Sequence, residues 1–491
     1  MALGFLRTWF SRSSQSSSAA GDIFFFDTLR KEKTLFKPLK AGHVGMYHCG
    51  PTVYNYQHIG NYRVYVFADL LKRLFHYQGY AVNQVINITD VGHLTDDADQ
   101  GQDKIEEGAK REHKTAEEIT GLYTDDFLEN LEKLNIDTEG TIFPRATEHI
   151  GEQVAFIKTL EEKGYTYKTS DGIYFNTSLF KRYGVLGNVN IAGLQEGKRV
   201  AANPEKKHPT DFALWKFSQP EDKRQQEWES PWGTGFPGWH IECSAMSTKY
   251  LGHRFDIHTG GIDHIPVHHN NEIAQSEAAF GKPFVNYWLH AEHLMIDGKK
   301  ISKSLGNVIL PKHIEEKGIP LLAYRYWLLT SHYRTQVNFT WEALEAAQKA
   351  FFKLERYFVD ELGKKKGAVS PEYQKQFREA LGNDMDTPRA IAVLWNLIKD
   401  EKVPESDKKA TLLDFDRVLG LNLSEAHEFM ESSRKTLKPS EIPSEVQKLI
   451  DEREEARKAK DFAKADELRE KIKMTGFSIE DTPQGPQLTK F

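Results

Sequence analysis

Cysteine is almost missing from this chain: Cys49 and Cys243 are the only two among 491 residues. Such scarcity excludes a disulfide-built scaffold and suits a reducing compartment, with the cytoplasm as the default. Long apolar runs are missing as well. No stretch approaches the ~18 to 20 consecutive apolar residues that a membrane-spanning helix needs, so no membrane partner is expected. A basic excess is also lacking: 65 Lys and Arg face 71 Asp and Glu, for a net charge of −6. Any surface for nucleic acid must then come from local clusters of Lys and Arg, and composition does not exclude one. Acidic residues are absent from Met1 to Gly21, where Arg7, Arg12 and many serines give the composition of a disordered extension or of an organelle transit peptide. Residues 1–22 are therefore set apart from the fold.

What is present is enough chain for roughly three folding units. Val44 to Cys49 reads as a buried strand, and Phe67, Leu70, Leu71, Leu74 and Phe75 then recur at helical spacing up to Gly79, which ends the helix. Alternation returns in Val82, Gln84, Ile86 and Ile88, so strand, helix and strand follow within one short segment, as a βαβ crossover requires. A doubly wound α/β sheet of this kind places ligands beyond the carboxyl ends of its strands, here Cys49 to Asn61 beside Thr89. Thr115 and Glu118 have capping-box spacing ahead of Ile119, Leu122, Phe127, Leu131 and Leu134, which predicts a helix to about Leu134. From there to about Trp232 helical and strand signals mix, and a second αβ segment starts near Trp239, the pattern of an inserted subdomain. Lys364 to Pro371 and Ser433 to Ser444 read as linkers. Val446, Leu449 and Ile450, then Phe462, Ala465, Leu468 and Ile472, predict two amphipathic helices ending before Gly476. Between Ser444 and Met474 nine Lys and Arg balance nine Asp and Glu, so a solvated, charge-laced helix pair explains this end as well as an RNA surface does.

Two short segments carry chemistry. His58, Ile59, Gly60 and Asn61 fall between the Cys49 strand end and the predicted helix, where free backbone N–H groups and the helix dipole favour bound phosphate. Lys300, Ile301, Ser302, Lys303 and Ser304 lie between Gly298 and Gly306, a glycine-flanked basic loop able to close over a polyphosphate. Alone, the first is ordinarily a histidine bonding a helix start and the second a solvated charge run. As a pair they resemble the His-Ile-Gly-His and Lys-Met-Ser-Lys-Ser signatures of class I aminoacyl-tRNA synthetases, with Asn61 in place of the second histidine and Ile301 in place of methionine. Longer stretches resemble the cysteinyl-tRNA synthetase family: Tyr47 to Tyr54, Gly238 to Met246, Asp256 to Glu277, Asn383 to Ala390 and Ala456 to Gly485. Within the third of these, Thr259, Val267 and Asn270 depart from the family's usual residues. The resemblance covers nearly everything after residue 23.

It implies an α/β fold: a class I Rossmann-type catalytic domain split by a connective insertion, followed by an α-helical bundle and a small C-terminal anticodon-binding domain. The limits expected are 23–114 and 233–310 for the two catalytic halves, 115–232 for the insertion, 311–370 for a stem-contact helical region, 371–435 for the bundle and 440–491 for the last unit. The implied activity joins L-cysteine to tRNA(Cys) in two steps at the expense of ATP, which is bound with Mg²⁺, in a protein working as a monomer. By resemblance, His58, Asn61, Lys300 and Lys303 stabilise phosphate charge, Gly60, Gly261 and Asp263 join them around ATP, and Gly50, Thr52, Thr89 and Trp239 surround the amino acid.

One zinc ion is implied on Cys49, Cys243, His268 and Glu272. Spacing supplies only part of that set, because His268 and Glu272 are one helical turn apart while the cysteines lie 194 positions apart. A metal suits the task. Cysteine differs from serine by one atom, a simple pocket separates such pairs by only ~1 to 3 kcal/mol, and Zn²⁺ prefers thiolate to hydroxyl. Arg457, Asp466 and Asp481 are implied to face the anticodon. Two other readings stay open. One is a catalytically silent RNA-binding relative, which loss of His58 or Lys303 would have indicated. The other is a cysteine ligase acting on an amino-sugar, a kind of enzyme that lacks a full anticodon-binding end.

Overall fold

The computed structural model describes residues 21–93, 103–188, 204–219, 224–302, 305–362, 366–426, 435–436, 442–475, 477–482 and 485–490. The described chain enters through a hairpin, β1 (Phe24–Asp27) and β2 (Glu32–Leu35). β3 (His43–His48), α1 (Ile59–Tyr77) and β4 (Ala81–Ile86) then form the expected βαβ unit. α1 is helical because Ile59, Tyr62, Val66, Phe67, Leu70, Leu71, Leu74 and Phe75 make one continuous buried stripe, and Gly79 leaves it with a φ of +87° that a side chain would strain. α2 (Lys104–Glu112) and α3 (Ala116–Lys133) follow. The capping box on α3 is formed, with Thr115 Oγ1 accepting from Glu118 N at 3.2 Å and Glu118 Oε2 accepting from Thr115 N at 2.8 Å. Its apolar face, Ile119, Phe127 and Leu131, joins the same core as α1.

α4 (Ile150–Glu162) precedes an antiparallel sheet of β5 (Thr166–Lys168), β6 (Gly172–Phe175), β7 (Phe212–Phe217) and β8 (Gly235–Pro237), ordered β5-β6-β7-β8. This sheet packs Phe175, Phe212 and Leu214 against α4 and against two later helices, Trp239–Leu251 and His268–Phe280. Between those helices runs β9 (Phe255–Gly261), and β10 (Val285–Ala291) follows the second.

The central sheet is wholly parallel, in the order β10-β9-β3-β4. The chain moves outward from β3 to β4 on one side and outward from β9 to β10 on the other. Strand order therefore reverses between β3 and β9, and a crevice opens at their carboxyl ends. Beyond β10 a small sheet of β11 (Leu294–Ile296), β12 (Lys299–Lys300) and β13 (Val337–Phe339) forms. Asp297 and Gly298, both at positive φ, make the two-residue turn between β11 and β12, the Asp-Gly hairpin chemistry. Arg63 of α1 fixes this end, donating to the carbonyls of Glu292, His293, His332, Tyr333 and Thr335.

The helices Pro371–Gly382, Thr387–Lys399 and Glu405–Leu419 pack as a bundle. A last unit has its own core of Val446, Ile450, Ile472, Phe477, Ile479 and Leu488. It combines the two expected helices, Ser444–Lys458 and Phe462–Met474, with a sheet that the sequence reading did not anticipate: β14 (Lys435–Thr436), β15 (Phe477–Thr482) and β16 (Gly485–Lys490), ordered β14-β16-β15. Among the described residues no helix is long and apolar enough to cross a membrane.

Candidate active site

The crevice is a cavity of about 750 Å³, and it gathers residues from both halves of the sequence: Cys49, Gly50, Thr52, His58, Gly60, Asn61, Thr89, Trp239, Cys243, Gly261, Asp263, His268 and Lys300 all line it. Glu272 is buried behind the wall. Lys303 lies outside the described residues. Arg457, Asp466 and Asp481 belong to the C-terminal unit, where Asp481 accepts from both Arg453 and Arg457 and Asp466 is exposed on the neighbouring helix.

At one end of the cavity the two signature segments touch. His58 caps α1 by accepting Asn61 N on Nδ1 at 3.3 Å, while Asn61 Oδ1 accepts His58 N at 3.0 Å. Asn61 thus closes a capping box and still has its side-chain amide N–H groups to offer a ligand. A Cβ on Gly60 would stand 2.9 Å from Ile301 Cδ1 and 3.1 Å from the His58 ring, so glycine lets the second segment lie against the first without shifting either side chain. Asn307 braces that segment from both sides, accepting Ser302 N at 2.8 Å and donating to Lys300 O at 3.0 Å.

The opposite end is organised by Asn87. Its Oδ1 accepts Gly50 N at 2.9 Å, its Nδ2 donates to Thr89 Oγ1 at 3.0 Å, and Cys243 Sγ lies 3.8 Å from Oδ1. A Cβ on Gly50 would meet Asn87 O at 1.5 Å, which makes glycine obligatory there. Thr52 and Thr89 bridge through their backbones. Trp239 opens its helix with its ring centroid 4.5 Å from that of His268.

Cys49, Cys243, His268 and Glu272 are all buried, with one donor atom each within 4.8 Å of the others. Both cysteines are free thiols. Glu272 Oε2 accepts from His258 Nε2 at 2.9 Å, but its Oε1 has no hydrogen-bond partner although fully buried, and sits 3.0 Å from His268 Nε2. A buried carboxylate oxygen in ion-pair reach of one imidazole and close to two thiols is the donor chemistry of a metal site. Electrostatics agree. A hydrogen bond from Cys49 pulls the Cys243 thiol down, against its burial, whereas burial and the Cys243 thiolate hold Cys49 up. Burial opposes ionisation of Glu272, yet His258 and His268 hold its carboxyl down at about 2. Burial opposes the charge on His268, yet Glu272 and Cys243 raise its imidazole to about 10, so the set pairs anionic character on Cys243 and Glu272 with a proton on His268 that metal binding would displace. A second set, Cys49, His258, His269 and Glu272, has the same spacing and shares two members.

Sequence reasoning missed the support of this cluster. His268 Nδ1 lies 2.9 Å from His240 Nδ1, and His269 Nδ1 lies 2.8 Å from His290 Nε2, fixing ring orientations as outer-shell partners of metal ligands do. The available signal was density: 7 of the 19 histidines fall between His253 and His293, although each one alone resembles an ordinary core histidine. Asn87 and Asn307 had no such signal.

A parallel sheet with a signature pair at its switch point defines a class I aminoacyl-tRNA synthetase catalytic domain, and the likeness to solved structures carries the same fold. A ternary complex of Agrobacterium radiobacter LeuRS with tRNA and LeuAMS aligns with 81% of this chain and 86% of its own, at 11% identity and a TM-score of 0.57. Mycobacterium tuberculosis methionyl-tRNA synthetase in complex with methionyl-adenylate covers 81% and 94%, at 13% identity and a TM-score of 0.51. Residues 35–349 match the model of the tRNA synthetases class I (C) catalytic domain, and 440–487 match that of the cysteinyl-tRNA ligase anticodon binding domain. Cysteine–tRNA ligase 1 of Burkholderia lata is 49% identical over 95% of this chain and 96% of its own length, and the Treponema denticola cysteine–tRNA ligase is 42% identical over 93% and 97%. The chain belongs to the cysteinyl-tRNA synthetase family.

Proposed function

We propose that this chain activates L-cysteine with MgATP and transfers it to tRNA(Cys), selecting the amino acid through one zinc ion held by Cys49, Cys243, His268 and Glu272. Bound zinc supplies a Lewis-acid site that takes a thiolate in preference to a hydroxyl and cannot take a methyl. Of the two overlapping donor sets, this one has the second sulfur that zinc favours, and it faces the cavity through Cys49, Cys243 and His268. Gly50, Thr52, Thr89 and Trp239 enclose the amino acid and set its carboxylate towards the nucleotide. That carboxylate attacks the α-phosphorus of ATP, the bond to pyrophosphate breaks, and cysteinyl-adenylate forms. His58, Asn61, Lys300 and Lys303 neutralise charge on the phosphates in the transition state, while Gly60 and Gly261 give room and Asp263 holds the ribose. A ribose hydroxyl of the terminal adenosine of the tRNA then attacks the activated carbonyl, releasing AMP.

The domain limits follow the same reading. Residues 23–114 and 233–310 make the catalytic halves, 115–232 the insertion, 311–370 the stem contact, 371–435 the bundle and 440–491 the unit that reads the anticodon through Arg457, Asp466 and Asp481. The protein acts as a monomer in the cytoplasm, a setting supported by two free thiols. His58 in place at the head of α1 speaks against a silent relative, and the anticodon-binding match at 440–487 speaks against an amino-sugar ligase.

One observation carries the proposal: a buried two-cysteine donor set forms one wall of the same cavity whose other wall is the signature pair. Cysteine-dependent exchange of pyrophosphate into ATP, followed by charging of a tRNA(Cys) transcript, tests it. Exchange supported by serine as well as by cysteine would overturn zinc selection, and exchange without charging would overturn the transfer step.

A further inference from the structure

Behind the amino-acid end of the cavity lies a hydrogen-bond relay to which the proposed reaction assigns no part. Thr89 Oγ1 accepts from Asn87 Nδ2 and donates to Glu242 Oε2, each at 3.0 Å. Glu242 Oε1 lies 2.6 Å from His93 Nε2, in hydrogen-bond contact. Glu242 is fully buried, His93 is nearly so, and neither lines the cavity. The backbone around His93 is held on every side. Gln226 accepts from Gly92 N at 2.9 Å and donates to Asp90 O at 2.8 Å, Arg224 donates to Gly92 O at 3.0 Å, and His93 O accepts from Lys104 N at 3.1 Å. Arg224 is itself fixed by Asp103 at 2.5 Å. A ring carried on backbone anchored in this way, and in contact with Glu242, is placed to set the direction of that carboxyl group.

The consequence falls on Thr89. A hydroxyl has one proton and two lone pairs. Here Glu242 takes the proton and Asn87 takes one lone pair, so what the hydroxyl offers the cavity is a single acceptor. That acceptor suits an N–H of an ammonium group and rejects a ligand that brings only lone pairs. Release of Glu242 would let the Thr89 hydroxyl rotate and present its proton instead.

We propose that His93 is a positioning residue for the ammonium group of the amino acid, acting through Glu242 on the hydroxyl of Thr89. The inference rests on the proposed reading that Thr89 is among the residues enclosing the amino acid, and it assigns Thr89 the ammonium end of that substrate. It separates ammonium recognition from thiol recognition, which belongs to the metal-binding wall.

The test uses the full zinc-loaded chain, cysteine-dependent pyrophosphate exchange, and 3-mercaptopropionate, which has the thiol and carboxylate of cysteine without its ammonium, as a competitive inhibitor. His93→Ala should raise the cysteine KM about tenfold or more, with the ATP KM and zinc content unchanged, because one buried orienting hydrogen bond is lost. Inhibition by 3-mercaptopropionate should stay within about twofold, and His93→Gln, which keeps an N–H donor, should restore the cysteine KM to within about threefold. His93→Phe keeps the volume and replaces His93→Ala if the latter does not fold. A cysteine KM within about twofold of wild type, equal weakening of cysteine and 3-mercaptopropionate, or no recovery in His93→Gln would each overturn the role of His93. Absence of cysteine-dependent exchange in the wild type would instead remove the reading beneath it, and the inference with it.

Discussion

Cys243→Ser is the sharpest perturbation of the donor set. Cys243 is 2% exposed, and its sulfur lies within 4.8 Å of a donor atom on Cys49, His268 and Glu272, so serine keeps nearly the same shape and removes only the thiolate. Replacing a mere outer-shell partner of a metal ligand costs ~10 to 100-fold in metal affinity. Loss of a ligand itself should reach or exceed the top of that range, and the cysteine KM should rise at least ~100-fold, or ~2.7 kcal/mol. Discrimination between cysteine and serine should then fall to what a simple pocket supplies, roughly 10 to 200-fold. The ATP KM should move by less than ~3-fold, because Gly60, Asn61 and Lys300 sit at the other end of the cavity. Metal content of protein purified without added zinc, and pyrophosphate exchange driven by cysteine and by serine, are the measurements. A folded variant with one zinc per chain and an unchanged cysteine KM would refute the assignment of Cys243.

Lys303→Ala should slow adenylate formation by at least ~100-fold with little change in cysteine affinity, since it removes one charge that acts in the transition state; near wild-type single-turnover rates would make the loop a surface charge run. Glu355 is 2% exposed, its Oε2 has no partner, and burial raises its carboxyl from 4.5 to about 8. The folded protein therefore keeps that proton while the unfolded chain releases it, so wild type should lose stability as pH rises from about 4.5 to 8, by an upper bound on the order of 5 kcal/mol. Glu355→Gln should lack this loss, and parallel melting profiles from pH 5 to 8.5 would contradict it. A chain ending at Ala426, which removes β14 together with its partner β16, should keep pyrophosphate exchange within ~3-fold and lose ~100-fold or more in tRNA charging. Equal charging by the folded truncation would make the last unit structural only.

The parts that were legible beforehand are those in which a local rule and the final environment agree. The α1 stripe, the Thr115 capping box and the alternation in β4 each needed only a few neighbouring residues. The C-terminal helices were equally clear, but β15 and β16 were not, because a short hairpin after Gly476 gives little periodicity. The metal set shows the opposite extreme. No local rule joins Cys49 to Cys243. They meet because β3 and β9 are neighbours, so that the residue after β3 reaches the helix that precedes β9, and only the family resemblance carried that long-range fact into the sequence reading. His258, His269 and His290 stayed hidden for a different reason: a buried histidine bonded to a carboxylate or to another histidine leaves no spacing signature.

Fixing the donor set also gives the insertion a second task. Cys243 sits on the Trp239–Leu251 helix, and His268 and Glu272 sit on the His268–Phe280 helix. Ile241 and Ala245 of the first and Ala274, Ala278 and Ala279 of the second are buried in one core with Phe175, Phe212 and Leu214 of the insertion sheet. The back of the Trp239–Leu251 helix thus rests on β7, and that of the His268–Phe280 helix rests on α4 and on the first helix. Small alanines on the second helix let α4 and the first helix approach closely, and a close-packed contact transmits displacement with little slack. Excising β5 to β8 would expose the back of the first helix and loosen the pair of helices that carry three of the four proposed ligands. Loss of charging in such a deletion would therefore not identify the insertion as an RNA-binding surface. Point changes on the exposed side of β5, such as Lys168→Ala, leave the donor helices supported and can separate the two tasks.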